Sequence, residues 1–152
     1  MLRSVLPVAL VALLALAGCD ATGTTGQAQF ETEAFFTTPD GVDSTDWRVG
    51  PAFDARIQVQ RRPDPNPAFS RETVTMQLYA PTAPAGFGLY RLEADGRLFL
   101  VDDAPGQSGP SFYTFSFFAS EVSATGLSGV YRLIVLDGRD RVVTFGDFEL
   151  RG

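Results

Sequence analysis

Three carboxylates at three-residue spacing, Asp40, Asp43 and Asp46, lead into the only tryptophan of the chain, Trp47. Residues of these types could do two kinds of chemistry. Carboxylate oxygens are hard ligands for calcium, and an indole beside carboxylates offers a sugar ring both a stacking face and hydrogen-bond acceptors. Asp43, Asp46 and Trp47, within residues 40–47, are therefore the candidate ligand-binding residues, for a glycan or calcium. The spacing departs from the EF-hand pattern, in which ligands alternate and glycine stands sixth. Acidic residues also form Asx turns, and a lone tryptophan near a strand start packs inward in most proteins. No metal site is assigned.

Elsewhere the chemistry is limited by what the chain lacks. It has no histidine, no lysine and one cysteine, Cys19. Ser-His-Asp and Cys-His catalysis, Schiff-base chemistry and imidazole or thiolate zinc sites are thereby excluded within this chain. A glycosidase needs only two carboxyl groups about 5–10 Å apart, but no acidic pair here stands in a motif. The expectation is a protein that is not an enzyme, with no catalytic residue and no cofactor. Eighteen acidic residues against twelve arginines give a formal net charge of −6, which argues against nucleic acid or anionic lipid as a ligand.

Cys19 has a different context. Arg3 is followed by an apolar run over residues 5–17, broken only by Pro7. A bilayer-spanning helix needs about 20 such residues, so the run targets rather than spans, in the manner of a secretory signal peptide. Ala15, Leu16 and Ala17 would suit cleavage that frees Gly18. Leu16-Ala17-Gly18-Cys19 also resembles the lipobox of bacterial lipoproteins, in which cleavage leaves the cysteine as the diacylated first residue of the mature chain. That resemblance implies lipid attachment at Cys19 and a cleavage flank of Leu16, Ala17 and Gly18. It further implies a domain held outside the cytoplasm, lipid-anchored to a membrane of the bacterial cell envelope, with an envelope protein or glycan as partner. Acylation accounts for a lone thiol in an oxidising compartment, where it would otherwise lack a partner.

These features divide the chain into a lipoprotein signal peptide over residues 1–18, a lipidated cysteine with a flexible tether over 19–29, and one folded domain over 30–152. The tether assignment rests on Gly, Thr, Ala and Gln with little charge and no large apolar side chain. The remainder has the length of a single domain able to bury a core without disulfides.

Hydrophobic period in the folded part is two. Phe53, Ala55, Ile57 and Val59 alternate with polar residues and predict a strand over 53–60; residues 73–78 repeat the pattern. Over 112–119, Tyr113, Phe115, Phe117 and Ala119 share one face, and aromatic residues on the other predict a partly covered second face. No window predicts a long amphipathic helix, and 120–125 suits one helical turn. Asp95-Gly96 and Asp137-Gly138 between alternating segments predict two type I′ hairpins. Proline-rich 62–67 and 80–86 read as connections. About eight short strands with such breaks predict an all-β fold, a single antiparallel sandwich.

Leu127, Gly129 and Tyr131 resemble the tyrosine corner of immunoglobulin-like and fibronectin type III domains, in which a tyrosine at the start of the penultimate strand bonds back to upstream backbone. The resemblance implies an Ig-like sandwich. Leu133 stands where antibody domains have a cysteine, so the kinship is with disulfide-free members.

Overall fold

Alternation of apolar and polar side chains builds a strand wherever one face can be buried. The computed structural model, which describes residues 21–36 and 46–152, contains eight strands: β1 (Gln58–Asp64), β2 (Ala68–Phe69), β3 (Thr73–Ala80), β4 (Phe87–Leu92), β5 (Leu98–Ala104), β6 (Ser111–Phe118), β7 (Gly129–Asp137) and β8 (Val142–Arg151). They form a three-stranded sheet ordered β1-β3-β6 and a five-stranded sheet ordered β2-β8-β7-β4-β5. Pairing is antiparallel except where the two-residue β2 runs parallel to β8. With β1, β3 and β6 in the places of strands A, B and E, and β4, β7 and β8 in those of C, F and G, this is an Ig-like β-sandwich.

The core lies between the sheets. Val74, Met76 and Leu78 of β3 and Tyr113, Phe115 and Phe117 of β6 face Leu89, Leu133, Val135 and Phe148 of the opposite sheet, all buried. The other face of β6 carries Phe112 and Phe118, each more than half exposed. That face is covered only in part, with the Phe112 ring 5.5 Å from that of Tyr79. At the β6 edge, the N–H of Ser116 donates to Asp102 Oδ2 of β5 at 2.6 Å.

The tyrosine corner is formed as its residues imply. Tyr131, in the penultimate strand, donates its hydroxyl proton to the Leu127 carbonyl at 2.5 Å, and its oxygen lies 2.8 Å from Ser123 Oγ. Ser123 Oγ also accepts the Leu127 N–H at 3.1 Å. One side chain thus closes the connection from the single 3₁₀ turn (Ala119–Val122) into β7.

Four consecutive residues of β7, Leu133 to Leu136, are all buried. A strand buried on alternate residues has one covered face; a continuous run needs cover on both. The second cover is α1 (Ala21–Phe36), which lays Phe30 and Ala34 against Ile134, Leu136, Val142 and Phe145. Burying a phenylalanine contributes about 1.5–3 kcal/mol. The segment expected to be a tether is therefore helical from Ala21 onward. Its amphipathic pattern is disguised because Gln27 and Glu31 stand on the docking face among Phe30 and Ala34. Their polar groups are spent on backbone: Gln27 Nε2 donates to the Val142 carbonyl at 2.8 Å, Gln27 Oε1 accepts the Ala52 N–H at 3.1 Å, and Glu31 Oε1 accepts the Val142 N–H at 3.3 Å.

Three further expectations are revised. Residues 53–57 form a helical turn, with the Arg56 and Ile57 N–H groups both donating to the Phe53 carbonyl at 2.8 Å. Phe53 and Ile57, four apart, bury the same side of that turn while Ala55 is exposed, so a helical spacing hid inside an alternating one. Arg62, Pro63 and Asp64 belong to β1, where proline is tolerated because β1 is an edge strand with two register shifts. Both predicted hairpins form, but as three-residue loops: Gly96 donates to the Glu93 carbonyl and Asp140 to that of Asp137, at 2.9 and 3.0 Å. The left-handed residue is the third of each loop, Gly96 (φ 84°) and Asp140 (φ 59°), the geometry of a type I turn closed by a bulge.

Replacing Tyr131 with Phe removes the hydroxyl that bonds the Leu127 carbonyl and Ser123 Oγ while keeping the ring. A loss of about 1 kcal/mol is expected in urea unfolding, with the slope of the transition unchanged.

Candidate functional site

Of the ligand-binding candidates singled out from sequence, the structure describes Asp46 and Trp47. Leu16, Ala17, Gly18, Cys19, Asp40 and Asp43 lie outside the described residues. Asp46 and Trp47 are inside the fold rather than on it. The Trp47 N–H donates to the Phe145 carbonyl at 2.8 Å, and its indole packs in the inter-sheet core. The ring sits so close over Gly146 that a Cβ there would lie 2.5 Å from it. Asp46 Oδ2 accepts the Asp147 N–H at 2.8 Å, a buried bond. Trp47 thus offers no stacking face to a sugar, and Asp46 is committed to holding the approach to β8 in place. Among the described residues no three carboxylates gather as a metal site would require.

A groove of about 480 Å³ lies elsewhere, at one end of the sandwich. Three segments far apart in sequence line it: the helical turn at 53–57, the β3–β4 connection at 81–87, and the β7–β8 hairpin loop. These last two correspond to the B–C and F–G loops, which sit at the recognition end of Ig variable domains. Pro81 follows directly on the end of β3, and Pro84 stands in a turn closed by the Gly86 N–H donating to the Ala83 carbonyl at 2.9 Å. Gly138 allows the hairpin loop to rest against it, since a Cβ on Gly138 would lie 2.1 Å from that of Ala85. Its absence of a side chain serves this close approach, not the turn.

The floor is apolar, formed by Phe53, Ile57 and Phe87, and the rim is charged, with Arg56, Arg139, Arg141 and Asp137. Arg141 donates through Nε and Nη2 to Asp137 Oδ2 at 3.0 and 2.6 Å, and its guanidinium stacks 4.8 Å over the Phe53 ring. Arg56 donates one N–H to the Ala52 carbonyl at 3.0 Å. Neither Arg56 nor Arg139 forms an ion pair among the described residues. Burial pushes the Asp137 carboxyl up, but the hydrogen bonds from the Arg141 side chain and from the backbone N–H groups of Arg141 and Arg139 outweigh it and hold it below its ordinary 3.8. A carboxylate held ionised and already engaged is a poor general acid. What the rim can do is donate hydrogen bonds to an anion, because a guanidinium carries five donors.

Nothing in one segment announces the groove. Its only sequence signals are Pro81 and Pro84 and the closely spaced Arg139 and Arg141 of the hairpin, and the fold alone joins them to Phe53 and Arg56.

No family model and no curated protein sequence matches the chain. Among solved structures, a Niemann-Pick type C2 protein from Japanese carpenter ant is similar at 9% identity, covering 77% of this chain and all of that one, with a TM-score of 0.34. At that score the likeness carries no argument about the site.

Because the folded-state value of Asp137 lies below its unfolded one, its contribution to stability is complete above pH 3.8 and lost as pH falls through the folded value. Asp137→Asn is expected to lower the melting temperature at neutral pH and to flatten its decline in acid, measured by circular dichroism across the two pH ranges.

Proposed function

We propose that the chain is a non-enzymatic, lipid-anchored interaction module of a bacterial cell envelope, which works by binding at the loop end of its sandwich. The observation that carries the reading is the composition of the groove: an apolar floor, an arginine rim, and one carboxylate already neutralised by Arg141. Binding suits such a site; proton transfer does not. The lipobox-like Leu16-Ala17-Gly18-Cys19 supports the anchor. Two acyl chains hold a protein stably where one does not. The anchor in turn supports a role at the membrane surface, with a partner other than nucleic acid.

The test is the intact mass of the mature N-terminal peptide from membrane and soluble fractions of cells making wild type or Cys19→Ala. A diacylated Cys19 in the membrane fraction, absent from the variant, is the expected result. A soluble protein beginning with an unmodified Gly18 would overturn the anchor.

A further inference from the structure

The helix that covers the five-stranded sheet also fixes where an anchor would lie. Gly26 packs on Pro51, and Gln27 bonds to Ala52 and Val142. Ala52 and Val142 are the immediate neighbours, in sequence, of groove residues Phe53 and Arg141, and Pro51 stands two residues before Phe53. Further along α1, Phe30 meets Phe145, three residues deeper into β8. Traced toward its start, the helix thus runs from the middle of the sheet to the groove end. Ala21 is five residues before Gly26, about 7 Å of helix, and Cys19 stands two residues before Ala21, at most about 7 Å of chain. An anchor at Cys19 would therefore be within reach of the groove end.

The groove lining, three arginines against one carboxylate, is cationic against the trend of the chain, while the exposed Asp54 and Asp140 of the same turn and loop stand outside it. With a net charge of −6, the chain as a whole is repelled by an anionic surface, yet three of its twelve arginines meet at this groove and two of them form no ion pair among the described residues. Guanidinium groups bind phosphate oxygens bidentately. We propose that Arg56 and Arg139, with Arg141 held in place by Asp137 and Phe53, form a contact site for the phosphate of anionic lipid headgroups in the membrane that carries the anchor. The site seats the domain groove-down on the bilayer and leaves the three-stranded sheet, with Phe112 and Phe118, free at its flank. The net charge, which argued against anionic lipid, describes the whole surface; the contact is made by one end.

The inference rests on the anchored reading, and its test is made independent of native acylation by the single thiol. The processed chain from Cys19 onward is coupled through that thiol to maleimide-bearing lipid in vesicles of neutral phosphatidylcholine alone or with anionic phosphatidylglycerol. Amide hydrogen exchange is then followed in residues 81–87 and 138–141. The expected result is exchange about tenfold slower on anionic than on neutral vesicles, with the difference lost in 1 M salt and in the double variant Arg56→Gln, Arg139→Gln. Equal protection on both vesicles, or a difference that survives the double variant, overturns the proposal. So does equal protection by inorganic phosphate or by an acidic peptide without anionic lipid, which would make the groove a site for those ligands instead. Failure of the native-mass experiment with success here would leave the contact standing and the processing wrong.

Discussion

Burial of β7 on both faces is the constraint from which the rest of the architecture follows. Its inner residues complete the core between the sheets, as in any sandwich, but Ile134 and Leu136 on the outer side need a second cover. Among the described elements α1 lies over them, with Tyr90, Leu92 and Leu98 of the neighbouring strands packed alongside. The helix must then dock beside the start of β8, where the backbone of Val142 would otherwise lack partners, and Gln27 and Glu31 supply them. Placing α1 there brings Pro51 and Ala52 against it and orients the helical turn that carries Phe53 and Arg56. One strand face in need of cover thus determines the position of the helix and of one wall of the groove.

What could be read in advance was the part of the fold governed by local periodicity. β3 and β6 alternate cleanly because one face of each meets the core, and the tyrosine corner is legible because Leu127 and Tyr131 are neighbours in sequence. The helix is hidden by Gln27 and Glu31, whose shared partner, the Val142 backbone, lies more than 110 residues away. Trp47 looked like a recognition residue because its neighbours are acidic; its true environment, the bare backbone of Gly146, is likewise remote. The groove was illegible for the same reason, since Arg56, Pro84 and Arg141 share no local pattern. Turn chemistry failed more subtly. Both Asp-Gly pairs mark hairpins, but Gly138 is glycine because Ala85 crowds it, and the left-handed position falls to Asp140.

A chain without lysine has to place every side-chain cation in a guanidinium, and the structure makes use of the planar group. Arg48, Arg91, Arg97, Arg132 and Arg141 each stack within 6 Å of a phenylalanine ring. Arg132 is buried outright, donating through Nε to Asp147 at 2.6 Å with both side chains almost wholly covered. An ammonium is more strongly hydrated and has no flat face to present, so lysine at these positions would forfeit the stacking as well as the fork of donors. Abundant phenylalanine and exclusive arginine are two sides of one packing scheme, in which aromatic faces stabilise the cations that an acidic protein must hold close.

The bond from the Ser116 N–H to Asp102 reaches beyond the single molecule. An edge strand with free N–H groups is a template on which another chain can extend the sheet, and β6 is such an edge, flanked by the exposed rings of Phe112 and Phe118. Asp102 occupies one of the donors that an incoming strand would need and places a negative charge midway along the edge. A second copy that tried to extend the sheet there would have to displace that carboxylate and bury its charge, so one aspartate guards the edge against its own kind.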